Sequence, residues 1–173
     1  MSNRGKLLVA SPMLLEPVFW RAVILLLEDN DDGAFGLILN RESDEMVEAH
    51  LPGWGRLAAG TGKIHFGGPV EPAVGLALAP LRPGDEPVLP GLRMVDLEAE
   101  PDSNLTSVRV YSGYSGWAPG QLDAELEEGS WHVVDAAPDD PFDDPREQWF
   151  RILRRQPGRL AILASYPDNP ELN

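Results

Sequence analysis

Apolar residues along this chain gather in short blocks separated by polar or Gly- and Pro-containing turns. The first block, Leu7 to Ala10, closes at Ser11-Pro12 and predicts a strand entering the core. Two longer blocks follow, Arg21 to Leu27 and Ala34 to Leu39, on either side of Glu28-Asp-Asn-Asp-Asp-Gly33. Asp and Asn accept backbone N–H groups in turns and a closing glycine tolerates positive φ, so this spacing predicts a β-hairpin. Neither block alternates with polar residues, which predicts that both faces of the hairpin are covered.

Further along, Glu45 to Leu51 predicts a short helix, and Ile64 to Phe66, Val74 to Leu78, Leu92 to Leu97 and Leu105 to Tyr111 predict strands. Two helices carry clearer boundary signals. In Ala118 to Gly129, Pro119 suits a first helical position, Leu122 and Leu126 share a face, and Gly129 ends the element. In Asp144 to Arg155, Asp144 is a candidate cap, Pro145 the first residue and Glu147 the capping-box partner. Trp149, Ile152 and Leu153 form the predicted buried stripe, while Arg151, Arg154 and Arg155 gather where the helix dipole favours cations. The pattern as a whole predicts mixed α and β structure in one domain spanning residues 1–173.

Composition changes the picture mainly through sign. The chain has 14 Lys and Arg against 28 Asp and Glu, a formal net charge of −14 that repels a polyanion and argues against direct nucleic-acid binding. From Asp96 to Asp144 there are 13 acidic residues and one basic residue, Arg109. A local basic cluster, Arg151, Arg154, Arg155 and Arg159, is small against that field. There is no cysteine, hence no disulfide framework and no thiolate chemistry, and a reducing cytoplasm is the expected location. Arg4 and Lys6 precede an apolar run as in a secretory signal, but Pro12, Glu16 and Pro17 interrupt it, and no run is long enough to span a membrane.

No complete catalytic motif emerges, and neither a metal nor a cofactor is expected. Gly60-Thr-Gly-Lys63 fails as a phosphate loop, because Leu57 stands at the earlier glycine position and Ile64 where a magnesium-binding Ser or Thr belongs. Gly113-Tyr-Ser-Gly-Trp117 has Trp117 where a nucleophile elbow needs glycine, leaving Ser115 and His132 without a motif. The acidic turn at Glu28 to Gly33 lacks the closing carboxylate of a calcium loop, since Leu39 occupies its place.

Three features could line a site. Asn40 and Arg41 end an apolar strand with an amide and a fixed cation, and Gly67-Gly68 offers a tight turn whose N–H groups could face an anion. Tyr111 to Gln121 interleaves aromatics with glycines, and Tyr111, Tyr114, Ser115, Trp117 and Gln121 are its candidate ligand-facing residues. The competing reading is that the rings pack over bare backbone. A shared site requires Asn40, Arg41, Gly67, Gly68 and the Tyr111 stretch to meet in space. The partner is then an unidentified protein or a small anionic ligand held by Arg41.

These pieces together resemble the YqgE/AlgH family of small bacterial proteins. The resemblance rests on Gly5 to Pro12, Phe19 to Leu27, Gly36-Leu-Ile-Leu-Asn-Arg41, Phe66-Gly-Gly-Pro-Val70, Tyr111 to Leu122 and the closing Pro167-Asp-Asn-Pro-Glu-Leu-Asn173. It implies an α+β fold with a curved, barrel-like, mostly antiparallel sheet flanked by helices. It implies no particular activity, catalytic residue or cofactor, although some relatives carry the label of transcriptional regulator. The chain departs from the family pattern in Pro80 to Pro101 and in the acidic Asp139 to Asp144 loop.

Overall fold

The computed structural model describes residues 1–168; the last five positions of the family-like closing segment lie outside the described residues. The predicted hairpin forms as β2 (Val23–Asn30) and β3 (Gly33–Ile38), with β1 (Lys6–Ala10) antiparallel to β2. Its turn is closed by Asn30, whose side-chain oxygen accepts the Asp32 N–H at 2.9 Å. Both faces are covered, as the continuous blocks imply. Leu7, Val9, Leu25 and Leu37 enter one apolar core with Trp149, Ile152 and Leu153, while Leu8, Ile24, Leu26 and Ile38 enter a second with Trp117, Leu122 and Trp131.

The remaining elements are β4 (Glu42–Met46), α1 (Val47–His50), β5 (Lys63–Phe66), β6 (Val70–Pro80), β7 (Leu92–Met94), β8 (Arg109–Trp117), α2 (Gln121–Glu127), β9 (Trp131–Asp135), α3 (Gln148–Arg154) and α4 (Arg159–Leu163). The fold is α+β, with a nine-stranded sheet whose main path runs β4-β5-β8-β3-β2-β1-β9 and stays open rather than closing into a barrel. Every named strand pair is antiparallel except β5 with β8. Val47, Trp54, Ala77, Leu105 and Val108 build a third apolar cluster beside α1.

Strand β8 organises the site region. Tyr111 and Ser112 pair with β5 on one edge and with β6 on the other. The connection from Phe66 to β6 must therefore cross β8, and Gly67 and Gly68 make the crossing. A Cβ at Gly67 would lie 2.3 Å from the Gly113 carbonyl oxygen, and one at Gly68 would lie 2.1 Å from the Tyr114 carbonyl carbon. Only bare backbone fits there.

Several boundaries differ from the sequence-based expectation. Strand β8 starts at Arg109 instead of Leu105 and runs on past Tyr111 through Trp117, so most of the aromatic and glycine stretch is strand. Helix α2 starts at Gln121 behind Gly120 in the left-handed region (φ 76°), leaving Pro119 outside it. Helix α3 starts at Gln148 behind Glu147, also left-handed (φ 58°), and no capping box forms. The Asp144 carboxylate instead binds the Arg146 N–H at 2.9 Å and the Arg146 guanidinium at 2.7 Å. Strands β4 and β9 and helix α4 are additions to the expected set.

Candidate functional site

The expected site residues do not all converge. Asn40 clamps the chain beyond β3: its side-chain oxygen accepts the Val23 N–H at 2.9 Å and its amide donates to the Arg21 carbonyl at 2.8 Å. Arg41 donates to the Trp20 and Asn40 carbonyls, and burial lowers its guanidinium pKa. The Arg41 carbonyl accepts the Phe66 N–H at 2.7 Å, which brings this pair close to the Gly67-Gly68 crossing through backbone. The Gly67 N–H is spent on the Ser112 carbonyl at 2.9 Å and so faces no anion.

Within β8 the aromatic stretch divides by face. Tyr111 is fully buried and donates weakly to the Pro141 carbonyl at 3.4 Å; desolvation raises its phenol pKa. Tyr114 lies near the surface and donates to the Glu71 carboxylate at 3.0 Å, which raises its pKa. Ser115 is buried, and its hydroxyl donates to the Gly67 carbonyl at 3.2 Å. His132 sits on β9, four strands away in the sheet order, so no serine nucleophile and base are assembled. Trp117 and Trp131 both donate to one oxygen of Glu125 at 2.8 Å, while Gln121 donates to the other at 3.0 Å and accepts the Ala118 N–H. Trp117 and Gln121 thus belong to an indole–carboxylate cluster apart from Arg41.

A buried polar pair went unflagged by sequence reasoning. Arg109 and His65 are both enclosed, with a guanidinium N–H of Arg109 directed at His65 Nε2. An acceptor at Nε2 puts the imidazole proton on Nδ1 and keeps the ring neutral. Burial first, and the adjacent guanidinium second, push the His65 pKa down to about 4. Arg109 also reaches the Phe142 carbonyl at 3.2 Å, so the pair anchors the acidic loop onto the sheet. The available signal was Arg109 itself, the lone cation in an acidic segment and flanked by valines.

Two open grooves flank the outward-pushed residues between Val70 and Gly75 of β6, where its register with β8 shifts. The larger, about 540 Å³, lies over β5 and β8 and is lined chiefly by Leu51, Ile64, Phe66, Val74, Leu97 and Val110. Its walls are pinned by Ser43 donating to the Ile64 carbonyl at 2.6 Å and Ser112 donating to the Pro72 carbonyl at 2.5 Å. Glu45, held by His50 at 2.8 Å, and Glu98 contribute acidic groups to its lining. The smaller, about 450 Å³, lies at the turn end of β2 and β3 against β8. Neither is lined by a described Lys or Arg. In the basic cluster Arg151 of α3 meets Asp143 at 3.0 Å and Arg155, just past the helix, grips Asp140 at 2.7 Å, while Arg154 lies over the Phe150 ring. Among the described residues, no group of three or more His, Asp or Glu is placed to hold a metal ion, and no helix is long and apolar enough to cross a membrane.

This open nine-stranded α+β architecture is one that solved structures share. The chain belongs to the AlgH-like family (DUF179), whose model matches residues 7–161. It is 45% identical to a UPF0301 protein of Mycolicibacterium gilvum over 94% of this chain and 86% of that protein. It is 44% identical to a UPF0301 protein of Streptomyces coelicolor, with 99% and 96% covered. Among solved structures, a Corynebacterium diphtheriae protein superposes with a TM-score of 0.88 at 29% identity, covering 96% of this chain and 93% of the other. The solution structure of the AlgH protein from Pseudomonas aeruginosa gives 0.70 at 27% identity, covering 96% and 95%. The family is uncharacterised and carries no specific function to this chain.

Proposed function

We propose that this protein is a non-catalytic cytoplasmic binding protein whose regulatory effect, where it has one, runs through a protein partner. The observation that carries this reading is the groove of about 540 Å³ over β5 and β8. Its apolar floor and hydrogen-bonded walls suit an apolar side chain entering from outside, since pre-formed apolar concavity is what such sites require. Glu45 and Glu98 favour a partner segment in which that side chain is flanked by Lys or Arg. With no Lys or Arg lining either groove, a neutral or basic occupant fits better than a small anion.

Peptides carrying Leu or Phe between lysines provide the test, titrated by NMR against the protein and its Val74→Glu variant. Val74 is 40% exposed, so the substitution alters the groove wall with little effect on folding. Binding weakened about tenfold or more in the variant, with unchanged melting temperature, supports the reading. Equal binding by both proteins, or a shift of promoter-length duplex at physiological salt, overturns it.

A further inference from the structure

Glycine in a protein usually has a steric reason, either a positive φ or a neighbour that leaves no room for a Cβ. Of the 17 glycines here, only Gly75 and Gly116 lack both, and at Gly75 an added Cβ is still crowded by a Leu97 methyl at 3.2 Å. Gly116 is an exposed residue near the end of β8, and an added Cβ would meet only the Tyr114 ring and the Val70 side chain, at ordinary contact distances of 3.7 and 3.8 Å. What the missing side chain leaves is space. That space is the smaller groove, because Gly116 stands opposite Phe35 in the register of β3 with β8.

The walls of this space have a definite chemistry. Phe35, 36% exposed, meets Tyr114 with ring centroids 5.8 Å apart and planes at 69°, so the two rings form adjoining sides of a corner. Glu71 fixes Tyr114 by its hydroxyl. Carboxylates of Glu28 and Asp32 complete the lining, and no Lys or Arg does. Arg4 forms a long salt bridge to Glu28 at 3.8 Å while its guanidinium donates to the Leu27 and Val88 carbonyls, so Glu28 accepts no hydrogen bond from it and Asp32 carries the rest of the negative charge. Aromatic faces set at an angle beside carboxylates attract a cation through the ring quadrupole as well as through charge.

We propose that the Phe35–Gly116–Tyr114 corner is a binding site for an organic cation, an alkylammonium or guanidinium group. The site is independent of the groove over β5 and β8. The same chemistry is offered by a free amine and by a Lys or Arg side chain of a partner, and Gly116 is the vacancy into which either inserts.

The test is a titration followed by the backbone resonances of Phe35 and Gly116, in salt near physiological strength so that diffuse charge attraction is screened. The probes are tetramethylammonium, methylguanidinium, a short arginine-containing peptide, and tert-butanol as a neutral probe of similar bulk. The cations are expected to shift these resonances saturably, and tert-butanol is not. Tighter binding of the peptide assigns the cation to a partner's side chain, and equal binding assigns it to a free small molecule. Gly116→Val, which fills the space with a residue suited to a strand, and Phe35→Ala are each expected to weaken cation binding about tenfold, whereas Val74→Glu does not. Gly116→Val is expected to keep or raise the melting temperature. The proposal is overturned if tert-butanol shifts the resonances as strongly as the cations. It is equally overturned if Gly116→Val binds cations as the parent does, or if Glu28→Gln abolishes binding while Phe35→Ala and Gly116→Val leave it intact, since binding would then be diffuse acidity.

Discussion

Tyr111 and Tyr114 stand three residues apart on β8, yet one is sealed inside the molecule with Arg109 and His65 and the other forms the wall of an open corner. Gly113 (φ 67°) separates them, and the chain crossing at Gly67-Gly68 presses on the backbone at this point. The same residue types therefore serve opposite ends. Below the crossing, glycine and tyrosine are consumed by packing; beyond it, they leave room.

The sharpest way to break this contrast is to treat the two glycine positions alike. Gly68→Ala drives a Cβ into the Tyr114 carbonyl and is expected to cost about 3 kcal/mol or more, or to prevent folding. Gly116→Val is expected to change stability by no more than about 0.5 kcal/mol. Urea unfolding of both variants measures the difference, and equal losses would erase it.

The enclosed end should also respond to acid. Burial beside Arg109 keeps His65 neutral in the fold, its pKa pushed down to about 4, whereas in the unfolded chain an imidazole titrates at about 6.5. As pH falls from about 6.5 toward 4, the unfolded state takes up the proton first, so stability is lost across that window by about 3 kcal/mol. Stability measured against pH should be flatter for His65→Asn by that amount. An unchanged slope would mean that burial, with Arg109 beside it, does not exclude the proton.

A smaller effect is expected at the strand's far end. Glu125→Ala leaves the Trp117 and Trp131 indole N–H groups without their shared acceptor, at a cost of about 1–2 kcal/mol. Tyr114→Phe removes only a surface hydrogen bond to Glu71 and should leave the melting temperature almost unchanged while loosening cation binding at the corner.

The hairpin was readable because its two apolar blocks and acidic turn encode pairing locally, and both covered faces followed from the absence of alternation. Strand β9 was not, because Trp131–Asp135 is five residues long and owes its place to pairing with β1, more than a hundred residues earlier. The start of α3 was misread because Asp144, with the composition of a cap, is captured by Arg146, which holds its carboxylate pKa at about 2. Gly67 and Gly68 could be flagged as special but not explained, since what they avoid is backbone some 45 residues away. The grooves were least visible of all. Each is walled by strands distant in sequence, and only the aromatics of β8 gave a hint.

The crossing of β8 also constrains how the chain is made. Strands β5 and β6 have finished by Pro80, but the strand they must straddle begins at Arg109. During synthesis the first half of the sequence can pair β1 with β2, β2 with β3 and β4 with β5, while β5 and β6 wait with unpaired edges for a strand not yet emerged. Completion of the sheet is thus a late event gated by β8.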